Sequence, residues 1–288
     1  NVTLDGSALS IAGITTDYDG QTRNPTGSDI GADEFTTLTA DAGVIGLVEP
    51  VSPFSAGTAA VVVELLNNAN QKLDSVNIYW KVNDSTMLHE WTGDLAPGNK
   101  LDVEVGTFSF VAGNPYAIKA WSEQPNGESD QNHENDSLFV PSLNVGIIGD
   151  YLIGGTNADY NSFNEAVQAL VKGGIVGPVN FAVKDSSYFE QVSIPSIQGA
   201  SDTSRVTFES ASGDSTGVIL TFAANSGDNY TVQLDGSDYV SFKNMTLEAS
   251  NNNYSRVIDI RNGANHNRFE SLILKGITGE RYGTEHAL

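Results

Sequence analysis

Apolar and polar residues alternate over short runs through much of this chain. Val76, Ile78, Trp80 and Val82 share one side of a run, and Asn77, Tyr79 and Lys81 share the other. That period of two marks a half-buried β-strand. Such runs recur roughly every ten residues, the spacing of a sandwich. They are Gly43–Glu49, Ala59–Asn67, Ser75–Val82, Leu88–Trp91, Leu101–Phe108, Tyr116–Trp121 and Ser137–Val140. Turn-forming groups separate them: Asn83-Asp84-Ser85, Pro97-Gly98-Asn99 and Gly113-Asn114-Pro115. The pattern predicts an immunoglobulin-like β-sandwich over residues 37–143.

A different pattern begins near residue 144. Ser162 followed by Glu165 has capping-box spacing. Phe163, Ala166, Val167, Leu170 and Val171 then fall on one helical face, and Gly173-Gly174 stops the helix. Beyond it the chain repeats. Phe181–Asp185 is echoed by Val206–Ser210, Val232–Gly236 and Ile258–Asn262, at an interval of about 25 residues, in the solenoid range. A second strand follows each turn, at Val192–Ile194, Val218–Phe222, Val240–Leu247 and Phe269–Leu274. Two strands and two turns per repeat predict coils of a parallel β-helix. Phe181, Val206, Val232 and Ile258 should then stand in register along one wall. Val240, Phe242, Met245 and Leu247 should point inward, with Asn244 marking a bend. The helix should cover the raw sheet edge of the first coil.

Residues 1–36 are too few to hold a core of their own. A strand at Ser7–Ile11 and a series of turns are expected there, draped on the sandwich or loosely ordered. The fold class predicted for the whole is all-β. An Ig-like β-sandwich (37–143) is followed by the N-terminal coils of a right-handed parallel β-helix with one capping α-helix (144–288).

Charge narrows the partners. Asp and Glu number 36 against 14 Lys and Arg, a formal net charge of −22. Such a surface repels phosphate backbones and argues against nucleic acid. It suits Ca²⁺, whose ligands are carboxylate and carbonyl oxygens. The absence of Cys removes disulfides, thiolate nucleophiles and Cys-based zinc sites. No run approaches the ~20 apolar residues of a membrane span. Nor does a basic and apolar leader open the chain, which starts at Asn1 and reads as an excised or processed piece.

These residues also carry a family resemblance. Tyr151–Thr156, Asp159-Tyr160, Phe163 and Gly177-Pro178-Val179 resemble the start of β-helix domains in large secreted proteins of Bacteroidota, and Leu234–Asn244 resembles their coils. Asp17–Phe35 looks like the closing segment of a comparable β-helix. The middle zone is similar to CARDB-like cell-adhesion modules, with Pro125-Asn126-Gly127, Asp130 and Asn135-Asp136 fitting the pattern. The order implies a piece of a tandem array, with gliding-motility adhesins of the SprB type as the nearest context. The resemblance implies an extracellular location on a bacterial cell surface. Its implied partners are surface glycans or other cell-surface polymers and neighbouring repeats of the same chain. Only four to five coils are expected here, which would leave the C-terminal end of the β-helix uncovered.

Candidate chemistry is sparse. Asp17, Asp19, Asp29 and Asp33 form an oxygen-rich group that could chelate calcium, although Ser28 stands where a calcium loop needs a bidentate Glu. A loop locked by Arg23 on one of these carboxylates is the structural alternative. Glu128, Asp130, Asn132, Glu134 and Asp136 form a second acidic turn with the same two readings. On the β-helix, Asp235, Asp238, Asp259, Arg256, Arg261 and His266 should face outward. Paired carboxylates there could do glycosidic acid–base work, while Asp235-Gly236 and Asn262-Gly263 are first explained as turns. His89, His133, His266 and His286 show no metal-binding spacing, and no nucleophile elbow or phosphate loop occurs. Trp80, Trp91 and Trp121 are core candidates, with sugar stacking as the alternative. The expectation is therefore a non-catalytic adhesive or structural segment. A polysaccharide-binding or polysaccharide-degrading β-helix and a calcium-stiffened spacer are its rivals.

Overall fold

The computed structural model describes residue 4, residues 6–34 and residues 38–276. Phe35 of the resemblance motif and His286 lie outside these residues. The chain divides into two compact units. One comprises the chain up to Val51 with Thr58–Phe108 and Tyr116–Leu143; the other comprises Ser52–Gly57, Ser109–Pro115 and the chain from Asn144 onward.

The first eight strands in chain order are β1 (Ala42–Glu49), β2 (Phe54–Ser55), β3 (Gly57–Asn67), β4 (Leu73–Val82), β5 (Ser85–Leu95), β6 (Lys100–Phe110), β7 (Tyr116–Glu123) and β8 (Ser137–Leu143). All but β2 build the sandwich, as sheets β1-β3-β6 and β5-β4-β7-β8. The period-two pattern sets the register. Val76, Ile78, Trp80 and Val82 of β4 are buried, as are Val61, Val63 and Leu65 of β3 and Ile118 and Ala120 of β7. Gly106 lies under the Trp80 ring, where a Cβ would stand 2.6 Å from it, so the large indole dictates the small residue opposite. Every predicted sandwich strand is present, and β5 is longer than its apolar run, because Ser85–Met87 continue a hairpin whose pairs run from Val82↔Ser85 outward. The predicted strand at Ser7–Ile11 is absent; Ala8 makes a single bridge to Ser28. Among the described residues of that segment, turns and side-chain bonds rather than a ladder provide the organisation.

The second unit is a β-solenoid of about five turns. Its strands are β9 (Val145–Ile153), β10 (Ile175–Val183), β11 (Ser186–Phe189), β12 (Val192–Pro195), β13 (Val206–Ser210), β14 (Val218–Phe222), β15 (Val232–Asp235), β16 (Val240–Lys243), β17 (Thr246–Ala249), β18 (Ile258–Arg261), β19 (Arg268–Glu270) and β20 (Ile273–Lys275). They form three parallel walls: β2-β9-β10-β13-β16-β19, β11-β14-β17-β20 and β12-β15-β18. A full coil thus carries three strands, where the sequence pattern suggests two.

This changes the register. Phe181 pairs with Phe208 and Phe208 with Phe242 on the first wall, whereas Val232 pairs with Val192 and Ile258 on the third. The expected single row of Phe181, Val206, Val232 and Ile258 is therefore split between two walls. The reason is unequal loops: one wall advances 27 residues from Val179 to Val206 but 34 from Val206 to Val240. The shared interior survives this correction. Phe181, Phe208 and Phe242 are fully buried and stack at centroid distances of 4.8 and 5.2 Å. Val240, Phe242, Met245 and Leu247 all point inward, and Asn244 turns the chain at φ 51°. Burying each such ring contributes about 1.5–3 kcal/mol by area, and each ring pair adds about 0.5–1.5 kcal/mol.

Helix α1 (Phe163–Gly173) closes the start of the solenoid. Ser162 accepts the Glu165 amide at 3.1 Å, as the capping spacing predicts. The Glu165 carboxylate takes the Asn161 amide rather than that of Ser162. Glu190, from the turn after β11, accepts the amides of Phe163 and Asn164 at 3.1 and 3.0 Å. The buried face is Phe163, Ala166, Val167 and Leu170, packed into the solenoid core; Val171 is 52% exposed and not part of it.

Candidate functional site

Three groups of polar residues compete as sites. In the N-terminal segment, Asp17 is the hub. Its Oδ1 accepts the amides of Asp19 and Gln21 at 3.1 and 2.6 Å, and its Oδ2 accepts that of Glu34 at 3.1 Å. Burial opposes the charge on Asp17, but these backbone donors together outweigh it and hold its pKa below the usual value. Asp33 hydrogen-bonds to the Asp17 carboxylate, and that contact, with burial, pushes its own pKa up. Asp29 Oδ1 accepts the Gly6 amide at 2.7 Å. Arg23 pairs with Glu34 at 3.2 Å, not with Asp17, Asp19, Asp29 or Asp33, which corrects the expected locking partner. The Glu34 carboxylate also takes the amides of Asn24 and Asp29. The segment is held by carboxylates accepting backbone N–H groups.

The second group is the acidic turn of the sandwich. Among the described residues, one set of three metal-ligating side chains has its donor atoms within 4.8 Å of one another: Asp130, His133 and Asp136. Strand packing positions it. The Asp136 carbonyl accepts the amides of Val44 (β1) and Ser122 (β7), tying the turn to both sheets. Gly43 lets the turn approach, since a Cβ there would lie 2.7 Å from the Asn135 carbonyl oxygen. Asp130 is buried and accepts the amides of Ala42 and Asn132 at 2.9 and 2.8 Å. Fully buried Asp41 takes the side-chain amides of Asn68 and Asn135 at 2.6 and 2.8 Å. His133 Nδ1 lies 2.8 Å from Asp136 Oδ2, and the other Asp136 oxygen and Asn135 Oδ1 are buried with no donor.

The electrostatics agree with that geometry. Burial pushes the Asp130 carboxyl up, with the Asp136 and Asp41 charges adding to it. The Asp136 carboxylate raises the His133 pKa. Uncompensated buried oxygens beside crowded carboxylates favour a cation. The mixed nitrogen and oxygen donors suit Zn²⁺ or Mn²⁺ better than Ca²⁺. Asp130 and Asp136 belong to the acidic turn visible in the sequence. The contributions of His133 and Asp41 do not follow from spacing: His133 stands alone in a polar loop, and Asp41 is remote in sequence. A polar cleft of about 510 Å³, lined by residues including Gln71, Asn126, Glu128 and Asp130, opens beside the turn.

The third group lies on the outer face of the wall β12-β15-β18. Ser193 donates to Gln233 at 3.0 Å, Gln233 donates to Asp259 at 2.9 Å, and Arg256 reaches Asp259 at 3.3 Å. Two residues along, Arg261 pairs with Asp235 at 3.2 Å. Asn262 and Arg261 hold the Asp235 pKa below the usual value. The structure therefore gathers Asp235, Asp259, Arg256 and Arg261 on one wall, as outward placement requires. Asp238 stands apart, accepting the Asn265 amide. His266 is also elsewhere; it stacks on Tyr239 at 4.8 Å, and its carbonyl accepts from Arg205. Trp80 and Trp91 are core residues, while Trp121 is half-buried on the outer face of the sandwich.

No protein-family model and no curated protein matches the chain. Three solved structures are similar to parts of it. The CARDB domain of a Pyrococcus furiosus protein, in complex with di-metal ions, is 18% identical with TM-score 0.32, over 38% of this chain and 97% of that one. A domain of a protein assigned to the cell surface, from Methanosarcina acetivorans, is 17% identical with TM-score 0.32, over 38% and 93%. The pectin methylesterase of Aspergillus niger is 18% identical with TM-score 0.35, over 46% of this chain and 47% of that enzyme. No described helix is long and apolar enough to cross a membrane.

Proposed function

We propose that the chain is a non-catalytic structural and adhesive segment of a large bacterial cell-surface protein. The observation that carries this reading is the state of the outward carboxylates on the β-helix. Asp235 is held by Arg261 and Asn262, and Asp259 by Arg256 and Gln233. Lys243–Glu270 and Lys275–Glu248 are further ion pairs between neighbouring coils. A general acid needs a carboxyl that keeps its proton near working pH; Asp235 has the opposite shift. Contacts that run from coil to coil stiffen a stack instead.

The test is incubation with pectin, polygalacturonate and alginate, following reducing ends and released methanol. No turnover above background is expected; turnover lost in Asp259→Asn would overturn the reading. Beads coated with the segment should adhere to the producing cells or their polysaccharide. Assignment to the gliding-motility adhesins belongs to the same proposal and is checked by tandem copies in the flanking gene sequence.

A second reading, a cation-stiffened spacer, is favoured by the convergence of Asp130, His133 and Asp136. Calcium at Asp17, Asp19, Asp29 and Asp33 is its other version. Thermal melts with EDTA, Ca²⁺ or Zn²⁺, run on wild type, Asp130→Asn and Asp17→Asn, distinguish the two. An unchanged transition throughout would remove both.

A further inference from the structure

The outer face of the sheet β5-β4-β7-β8 has a charge pattern that folding alone does not favour. Lys81 of β4 stands directly opposite Lys119 of β7. Like charges at opposed positions destabilise a strand pair. Carboxylates outnumber cations in this chain, at 36 to 14, and eight of the described lysines and arginines have a carboxylate within 4.0 Å. Among the described residues, neither Lys81 nor Lys119 has one. Two lysines thus occupy one row of the sheet, with no described carboxylate within 4.0 Å of either, on an acidic protein.

Their surroundings are aromatic. Tyr79 stacks on Trp121 at 5.5 Å and 15° in the next row of the sheet. The Lys119 ammonium lies 5.4 Å from the Trp121 ring centroid, which holds it in place. Phe139 of β8 pairs with Lys119 on its other side and is 62% exposed. Glu123, bonded to Trp121 Nε1 at 2.9 Å, borders the aromatic row away from the lysines.

From this juxtaposition we infer that the Lys81–Lys119 pair and the open Phe139 ring form a binding site for an acidic glycan. It would take a single carboxylate-bearing sugar set among neutral sugars. The carboxylate sits between the two ammonium groups, and the C–H face of its ring or of its neighbour lies on Phe139. The positive strip is one residue wide and the chain carries −22 overall, so a polymer charged at every unit is repelled beyond the strip. A sparsely charged glycan gains the two lysines without that penalty. The inference rests on reading the segment as surface-displayed and adhesive.

Affinity electrophoresis in gellan, which has one glucuronate in each repeat of otherwise neutral sugars, tests it with the whole chain. Wild type should be retarded, and carboxyl-reduced gellan should retard it at least tenfold less. The K81S/K119S variant should lose at least tenfold in affinity while keeping a single cooperative unfolding transition, because neither lysine belongs to the buried face of its strand. Phe139→Ser should weaken binding several-fold, and Trp121 emission should respond to gellan in wild type but not in K81S/K119S. Retardation unchanged in K81S/K119S, or equal binding of dextran sulfate or single-stranded DNA that ignores Phe139→Ser, would overturn the proposal, as would no binding at all. These results are independent of turnover, so failure here leaves the non-catalytic reading standing, and turnover elsewhere leaves the lysine dependence readable.

Discussion

Single side chains do disproportionate organising in both units. Asp17 takes three backbone amides on two oxygens, in a segment whose described residues form no strand ladder. Its pKa is depressed, so its stabilisation is present above the ordinary value of 3.8 and is lost as pH falls through the lower folded value. The amide resonances of Gln21 and Glu34 should hold steady from neutral pH down to about 4 and collapse toward random-coil shifts below that. Asp17→Asn should collapse them already at pH 7. An oxygen-rich turn at Asp17–Asp19 is legible in the sequence. Its use for backbone donors is not, because N–H groups leave no mark in a pattern of side chains. In the solenoid, Phe208 sits between Phe181 and Phe242 with no exposed surface. Phe208→Ala should cost about 3–5 kcal/mol in denaturant unfolding. A loss under about 1 kcal/mol would mean that the walls collapse to fill the gap.

Elements are where sequence pattern and structure part company. The strands of the sandwich are legible because one face of each is buried and the period of two survives intact. The coils are legible as repeats but not in register: Val206 and Val232 look equivalent as apolar starts, yet they head different walls. Loop length, which varies from coil to coil, carries the phase, and apolar spacing does not record it. Helix α1 is readable from Ser162 and its apolar face, but its strongest cap comes from Glu190, which is distant in sequence. Glu190→Ala should remove about 1.5–3 kcal/mol, the range for hydrogen bonds to a charged group, and lower amide protection at Phe163 and Asn164. The acidic turn makes a prediction of its own. The His133 pKa is raised by Asp136, so that pair stabilises the fold below the ordinary value of 6.5 and ceases to as pH rises through the higher folded value. A metal needs the neutral imidazole. Zn²⁺ should therefore raise the melting midpoint more at pH 8 than at pH 6, and His133→Ala should abolish that difference.

At the scale of the whole molecule, net charge opposes local pairing. The described ion pairs are mostly at the surface, for example Lys72–Asp74 and Lys100–Glu64, with about half of each lysine side chain exposed. Exposed pairs of this kind contribute only about 0–1 kcal/mol each. The formal charge of −22 is a surplus of carboxylates that no internal cation can neutralise, and its mutual repulsion is felt throughout the fold. Added salt weakens both effects, since screening reaches a Debye length of about 8 Å at 0.15 M. Repulsion among the surplus carboxylates outweighs attraction in the few exposed pairs, so monovalent salt should stabilise. Raising KCl from 10 to ~150 mM, where the Debye length falls from about 30 to 8 Å, should raise the melting midpoint by several degrees with EDTA present to exclude cation binding. The rise should shrink when exposed carboxylates far from any cation are neutralised in groups. A midpoint that falls with salt would mean that the ion pairs between coils, rather than the buried apolar stack, carry the stability of the solenoid.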